Sequence, residues 1–138
     1  MDFQTLINLS IIDEYFSIFE KELKGKAVKR ENNVGVEGER THDFELLYKE
    51  DGILLTVLNE QIIGVKVYFS PTPIAQPFQG EFVFGLSHIS SENEIKKQFD
   101  FPQNLNQVPM RADNRYQYKN CTVAFDAMTG EINFAEIK

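Results

Sequence analysis

A chain of 138 residues, 42% hydrophobic and 25% charged, is long enough to bury a core and too apolar to stay disordered. Its net charge of −7 argues against nucleic acid as a partner, because phosphate recognition needs a basic face, and favours a basic partner or none. The apolar runs are far short of the ~20 residues of a membrane span. MDFQTLINLS lacks the basic region of a signal peptide, and the single cysteine, Cys121, allows no internal disulfide and fits a reducing cytoplasm.

In chain order, Phe3 to Leu9 reads as either a short helix or an arm. Ser10-Ile-Ile-Asp13 then reads as a capping start, with Asp13 and Glu14 where the helix dipole favours acids. Ile12, Phe16, Phe19 and Leu23 follow at helical spacing as one apolar stripe with Tyr15 beside it, and Gly25 offers a C-terminal stop. Lys24, Lys26, Lys29 and Arg30 form a basic cluster. From Glu31 to Glu60 the acids Glu31, Glu37, Glu39, Asp43, Glu45, Glu50, Asp51 and Glu60 face only Arg40 and Lys49. This segment is either a solvated loop and sheet edge or an electrostatic docking surface.

Three strands are predicted next: Phe44 to Tyr48, Ile53 to Leu58 and Ile62 to Phe69, with turns at 50–52 and 59–60. In the third, strict alternation puts Ile63, Val65, Val67 and Phe69 on one face and Lys66 and Tyr68 on the other. Connections this short imply an antiparallel meander. Pro71, Pro73 and Pro77 then mark an irregular bridge of about residues 70–80. Proline suits a segment that needs no ladder hydrogen bonds.

The same order returns after the bridge. Ser91 and Glu94 form a capping box for a helix from Glu92 to Phe99, with Ile95 and Phe99 on one side. A polar loop follows from Asn104 to Asn114, then strands at 115–118, 122–125 and 131–137, the last with Ile132 and Phe134 on one face. Sliding the chain by 67 places sets Val65 over Ile132 and Val67 over Phe134. Neither half offers a convincing core alone. The expected fold is α+β: two helix-plus-three-stranded antiparallel meander halves, about 1–69 and 81–138, forming one domain of residues 1–138. Phe16, Phe19, Val65, Val67, Ile95, Phe125, Ile132 and Phe134 are its expected core.

Signals for catalysis are absent. His42 and His88 have no partner at metal-ligand spacing, and there is no HExxH, CxxC, GxSxG, P-loop or GxGxxG. Cys121 opens an apolar strand and reads as a buried small hydrophobe. No enzymatic activity, cofactor or metal is expected. One aromatic group remains: Tyr116 and Tyr118 alternate on one strand near Arg115, and Tyr68 lies on the polar face of its own. These residue types suit either a protein interface or an ordinary half-exposed sheet face.

The stretch GEFVFGLSHISSENEIKKQFDFP resembles a pattern in small bacterial immunity-type and uncharacterised proteins. Gly80-Glu81-Phe82 stands for a bridge-ending step, Gly85-Leu86-Ser87 for a Gly-Leu-Ser phrase, Glu94-Ile95 for the helix, and Phe99 with Pro102 for the exit. Val83 departs from the pattern's proline and Asp100 from its exit glycine. NRYQYKNCTVAFDAMTGEINFAEI is similar to the closing meander. The helix-plus-strands unit is similar to that of β-lactamase inhibitory protein and of small outer-membrane assembly lipoproteins. The match covers roughly residues 65–138, and the first half only by element order.

The resemblance implies a protein that binds and neutralises a cognate bacterial toxin acting in the cytoplasm, with a basic-surfaced nuclease as the expected target. It names no catalytic residues. Glu37, Glu39, Asp43 and Glu45 are the expected docking charges and Tyr116 and Tyr118 the expected anchors. A small-ligand binder or an assembly scaffold is the alternative.

Overall fold

The computed structural model describes residues 2–31, 42–99, 103–104 and 112–138. It is α+β: an eight-stranded antiparallel sheet in the order β1-β2-β3-β4-β8-β7-β6-β5, with two short helices. The first part holds a 3-10 helix Phe3–Leu6, α1 (Glu14–Lys21), β1 (Val28–Glu31), β2 (Phe44–Tyr48), β3 (Ile53–Leu58) and β4 (Gln61–Tyr68). The second holds a 3-10 helix Val83–Gly85, α2 (Glu92–Gln98), β5 (Gln103–Asn104), β6 (Asp113–Tyr118), β7 (Cys121–Asp126) and β8 (Ile132–Ile137). Sequence neighbours pair on both sides, and β4 pairs with β8 in the middle. Each set therefore has one strand more than the three expected, the outer strands β1 and β5. Among the described residues, no helix is long and apolar enough to cross a membrane.

Both helices lie on one face of the sheet. Phe16 and Phe19 of α1, Ile95 of α2 and Phe99 just after it bury into a cluster with Tyr48, Leu55, Val65, Val67, Tyr116, Val123, Ala135 and Ile137. The caps are local chemistry. Asp13 accepts from the amide of Tyr15 at 2.9 Å, and Ser91 from that of Glu94 at 3.4 Å. Asp13 rather than Ser10 is thus the N-cap of α1, and the helix ends at Lys21 with Glu22 as its C-cap, short of Gly25. Ser10 instead bridges to Gln61, because residues 8–11 run beside the start of β4, with Asn8 and Leu9 bonded to Ile62. The N-terminal segment is therefore a 3-10 helix followed by an arm. Ile12, expected in the buried stripe, is 79% exposed because it precedes the helix.

Two β-bulges reset the alternation that a sequence count assumes. Between β3 and β4 the register passes from Val57↔Ile62 to Thr56↔Gly64, leaving Ile63 as an extra residue. Between β7 and β8 it passes from Phe125↔Ile132 to Ala124↔Phe134, leaving Asn133 extra. Ile62, not Ile63, is consequently in the core. Ile132 is buried as expected, while Phe134 turns to the other face and is only half-buried. In the central pair, Val67 lies against Ala135 and Val65 against Ile137.

No regular element occupies residues 70–80. The segment passes over the end of the sheet, with Ala75 buried on Leu47 and Leu54 of the helix-free face. Gln76 donates its amide to Lys49 and Phe78 to Tyr68. Gly52, at φ +70, makes this approach possible, because a Cβ there would collide with the backbone of Gln76 and Phe78.

Candidate functional site: the open sheet face

On the face away from α1 and α2, strand alternation assembles a row of half-buried polar and aromatic side chains. Lys66 and Tyr68 come from β4, Phe134 and Glu136 from β8, Arg115 from β6 and Glu45 from β2. The central pairing brings them together, with Lys66 opposite Glu136, Tyr68 opposite Phe134, and Phe134 opposite Ala124, which in turn faces Arg115. The small side chain of Ala124 leaves room over Phe134. Two cations use it: the Lys66 ammonium lies 4.1 Å from the Phe134 ring centroid and the Arg115 guanidinium 5.1 Å. Lys66 also lies 5.1 Å from the Tyr68 ring.

These heads are held in place. Arg115 donates in a fork to Asp113, Nε to Oδ1 at 2.8 Å and a terminal nitrogen to Oδ2 at 3.2 Å. Burial pushes the Lys66 ammonium below its ordinary pKa, against the pull of Glu136. Burial likewise raises the Tyr68 phenol, with Glu45 adding to the effect. The row is thus partly stripped of water and its Arg115 head is fixed on Asp113, a state in which a polar contact to that head loses little further freedom.

Beside the row is a hollow of about 300 Å3 lined by His42, Thr56, Ile63, Gly64, Glu136 and Lys138. It exists because Gly64 contributes no side chain in mid-strand, where an added Cβ would meet only ordinary contacts at 3.6 Å. Lys138 and Glu136 pair across it at 3.8 Å.

Of the expected site residues, Glu37 and Glu39 lie outside the described residues. Glu45 is on the open face, close enough to influence Lys66 and Tyr68. Asp43 has a structural task, accepting from the amide of Asn59 at 2.8 Å in the β3–β4 turn. The two tyrosines lie on the helix-covered face. Tyr116 is 5% exposed and donates its hydroxyl to Glu92 at 2.8 Å. Tyr118 stacks on Phe99 at 4.6 Å and meets Phe84 edge-on at 5.3 Å. As the chain is folded, Tyr116 is not available as a surface anchor, because its face is filled by α2. The aromatic members of the open face are instead Tyr68 and Phe134. The alternation of Lys66 with Tyr68 is the signal that points to the first, whereas the side of Phe134 depends on the bulge.

Cys121 is buried, and desolvation pushes its thiol up to about 12, which removes the thiolate that a nucleophile needs. Among the described residues, no group of three His, Cys, Asp or Glu side chains could hold a metal ion. Compared with protein-family models, curated proteins and solved structures, the chain matches none.

Proposed function

We propose that this chain is an immunity-type protein that binds and neutralises a cognate bacterial toxin acting in the cytoplasm, with a basic-surfaced nuclease as the expected target. We propose further that the partner docks on the open sheet face. One observation supports this dock: a row of two aromatic rings and two cations, with the carboxylates Glu45, Asp113 and Glu136 beside them, stands half-exposed on a face that neither helix covers. Aromatic and arginine side chains fixed before binding are what interface hot spots consist of. The net charge of −7 would steer a basic partner toward the protein and raise its association rate.

The reading includes one domain built of two similar halves. Supporting it, β1 to β4 and β5 to β8 each run as consecutive antiparallel neighbours, each is preceded by a 3-10 helix and an α-helix, and each has a bulge in its last hairpin. The halves meet at β4 and β8, which puts the aromatic–cation row at their seam.

The test is co-expression with the toxin encoded beside this chain's gene, using Lys66→Ala, Tyr68→Ala and Phe134→Ala variants checked for folding. Native protein should rescue growth and bind the toxin more slowly as salt rises. Rescue undiminished in all three variants would reject the open face as the dock, and failure to bind that toxin at all would reject the immunity reading. A small-ligand role is favoured by a single feature, the polar-lined hollow at Gly64. If that alternative, which has no toxin partner, were the correct one, filling the hollow with Gly64→Ser would abolish ligand binding and the native protein would give no rescue.

A further inference from the structure

Helix α1 has a second apolar side that the core does not use. Phe16 and Phe19 are buried, whereas Tyr15 and Ile18 on the helix and Ile12 just before it are 71%, 45% and 79% exposed. Within the helix, the spacing of three places Tyr15 and Ile18 on neighbouring turns at one side. Tyr15 and Ile18 border a groove of about 440 Å3 between α1 and the 3-10 helix Phe3–Leu6. Leu6, Leu9 and Phe19 also line it, and so do the acids Asp2 and Glu22.

An apolar groove needs a stated occupant, and charge selects one here. The charged residues that line the groove are two acids, Asp2 and Glu22, and no base lines it. A second copy of this chain would bring the same acidic rim against itself and be repelled. An anionic membrane surface would be repelled too. A segment with apolar side chains for the groove and Lys or Arg for the rim meets both requirements. A groove running along a helix suits an amphipathic helix, which presents anchors at three- and four-residue spacing.

We infer that the α1 groove is a second docking site, which takes a basic amphipathic helix of a partner protein. It lies on the helix-covered side of the sheet, so it does not depend on the open-face reading. Tyr15 and Ile18 supply the apolar contact, and Asp2 and Glu22 pair with the partner's bases.

The experiment titrates the full chain with an end-blocked 18-residue helical peptide that has leucines on one face and lysines on the other. A counterpart with glutamate for lysine serves as control, and binding is followed by anisotropy of a peptide label. The lysine peptide should bind the native protein and weaken as salt rises, and the glutamate peptide should not bind. Tyr15→Ser with Ile18→Ser should weaken binding at least about tenfold, and Glu22→Lys should weaken it by a smaller factor. Circular dichroism and melting check that these surface variants fold. Met128→Ala, an exposed residue of the β7–β8 turn outside both sites, should leave the affinity unchanged. Equal binding to the double variant, equal binding of the glutamate peptide, or loss of binding in Met128→Ala would overturn the assignment. So would a concentration-dependent dimer of the native chain that the double variant abolishes, since the occupant would then be a second copy.

Discussion

Tyr48 and Tyr116, sixty-eight residues apart, are buried on the same sheet face, and each donates its hydroxyl to a glutamate of a helix at 2.8 Å. Tyr48 of β2 reaches Glu20 of α1, and Tyr116 of β6 reaches Glu92 of α2. Each ring also meets a phenylalanine edge-on, Phe19 and Phe125 respectively. A phenol is well suited to this place, because its ring fills the layer under the helix while its hydroxyl reaches the wet rim. Each pair ties a helix of only two turns to the sheet, and helices this short depend on such tertiary contacts.

Tyr48→Phe and Tyr116→Phe should therefore each cost about 1 kcal/mol, the net worth of one hydrogen bond whose acceptor can return to water. Urea denaturation of the two single variants and the double variant checks this. Costs that add in the double variant are expected, because the two sites share no partner.

The same burial makes the protein sensitive to alkali. Burial first, then the bond to Glu20, raise the Tyr48 phenol well above its ordinary 10.0, and burial raises the Cys121 thiol from 9.0 to about 12. A group whose folded pKa is raised holds its proton longer in the folded state. Its contribution is complete below the unfolded value and is lost as pH rises beyond it. The melting temperature should thus fall from about pH 9 upward. Tyrosinate absorbance should show Tyr48 ionising only as the fold is lost. Free titration of all five tyrosines near pH 10 in the folded protein would contradict the burial.

The bulges make a sharp prediction about adjacent residues. Ile62→Ala should cost about 2–5 kcal/mol as a core truncation, and Ile63→Ala clearly less, since Ile63 is the extra residue and half-buried. By the same reasoning Phe16→Ala should cost about 3–5 kcal/mol and the half-buried Phe134→Ala less. Chemical denaturation of the four variants tests the register directly, and a reversed order within either pair would place the bulge elsewhere.

Gly52 should resist substitution for two separate reasons. Its φ of +70 costs any side chain about 1 kcal/mol, and a Cβ would strike the backbone of the proline bridge at Gln76 and Phe78. Gly52→Ala should therefore destabilise by more than the conformational term alone. Asn59→Ala in the β3–β4 turn also sits at positive φ, and its cost should be confined to that smaller term. Comparing the two melting curves separates close approach from backbone strain.

Local chemistry determined much of this molecule by itself. The Ser91 cap, the strands flanking 50–52 and 59–60, the buried Cys121 and the proline-marked bridge all rest on propensities and spacings that act over a few residues. They appear in the fold where the sequence places them. What depended on strand pairing was not open to a count along the chain. One extra residue in a hairpin moves every later side chain to the opposite face, so Ile63 and Phe134 changed sides while Ile62 entered the core. Tyr116 and Tyr118 show the same limit. Their alternation fixes that they share a face, but only the packing of α2 decides that it is the covered one. The candidate site follows from that decision. Lys66 and Tyr68 come from β4, Phe134 from β8 and Arg115 from β6, and only the pairing of β4 with β8 brings them together.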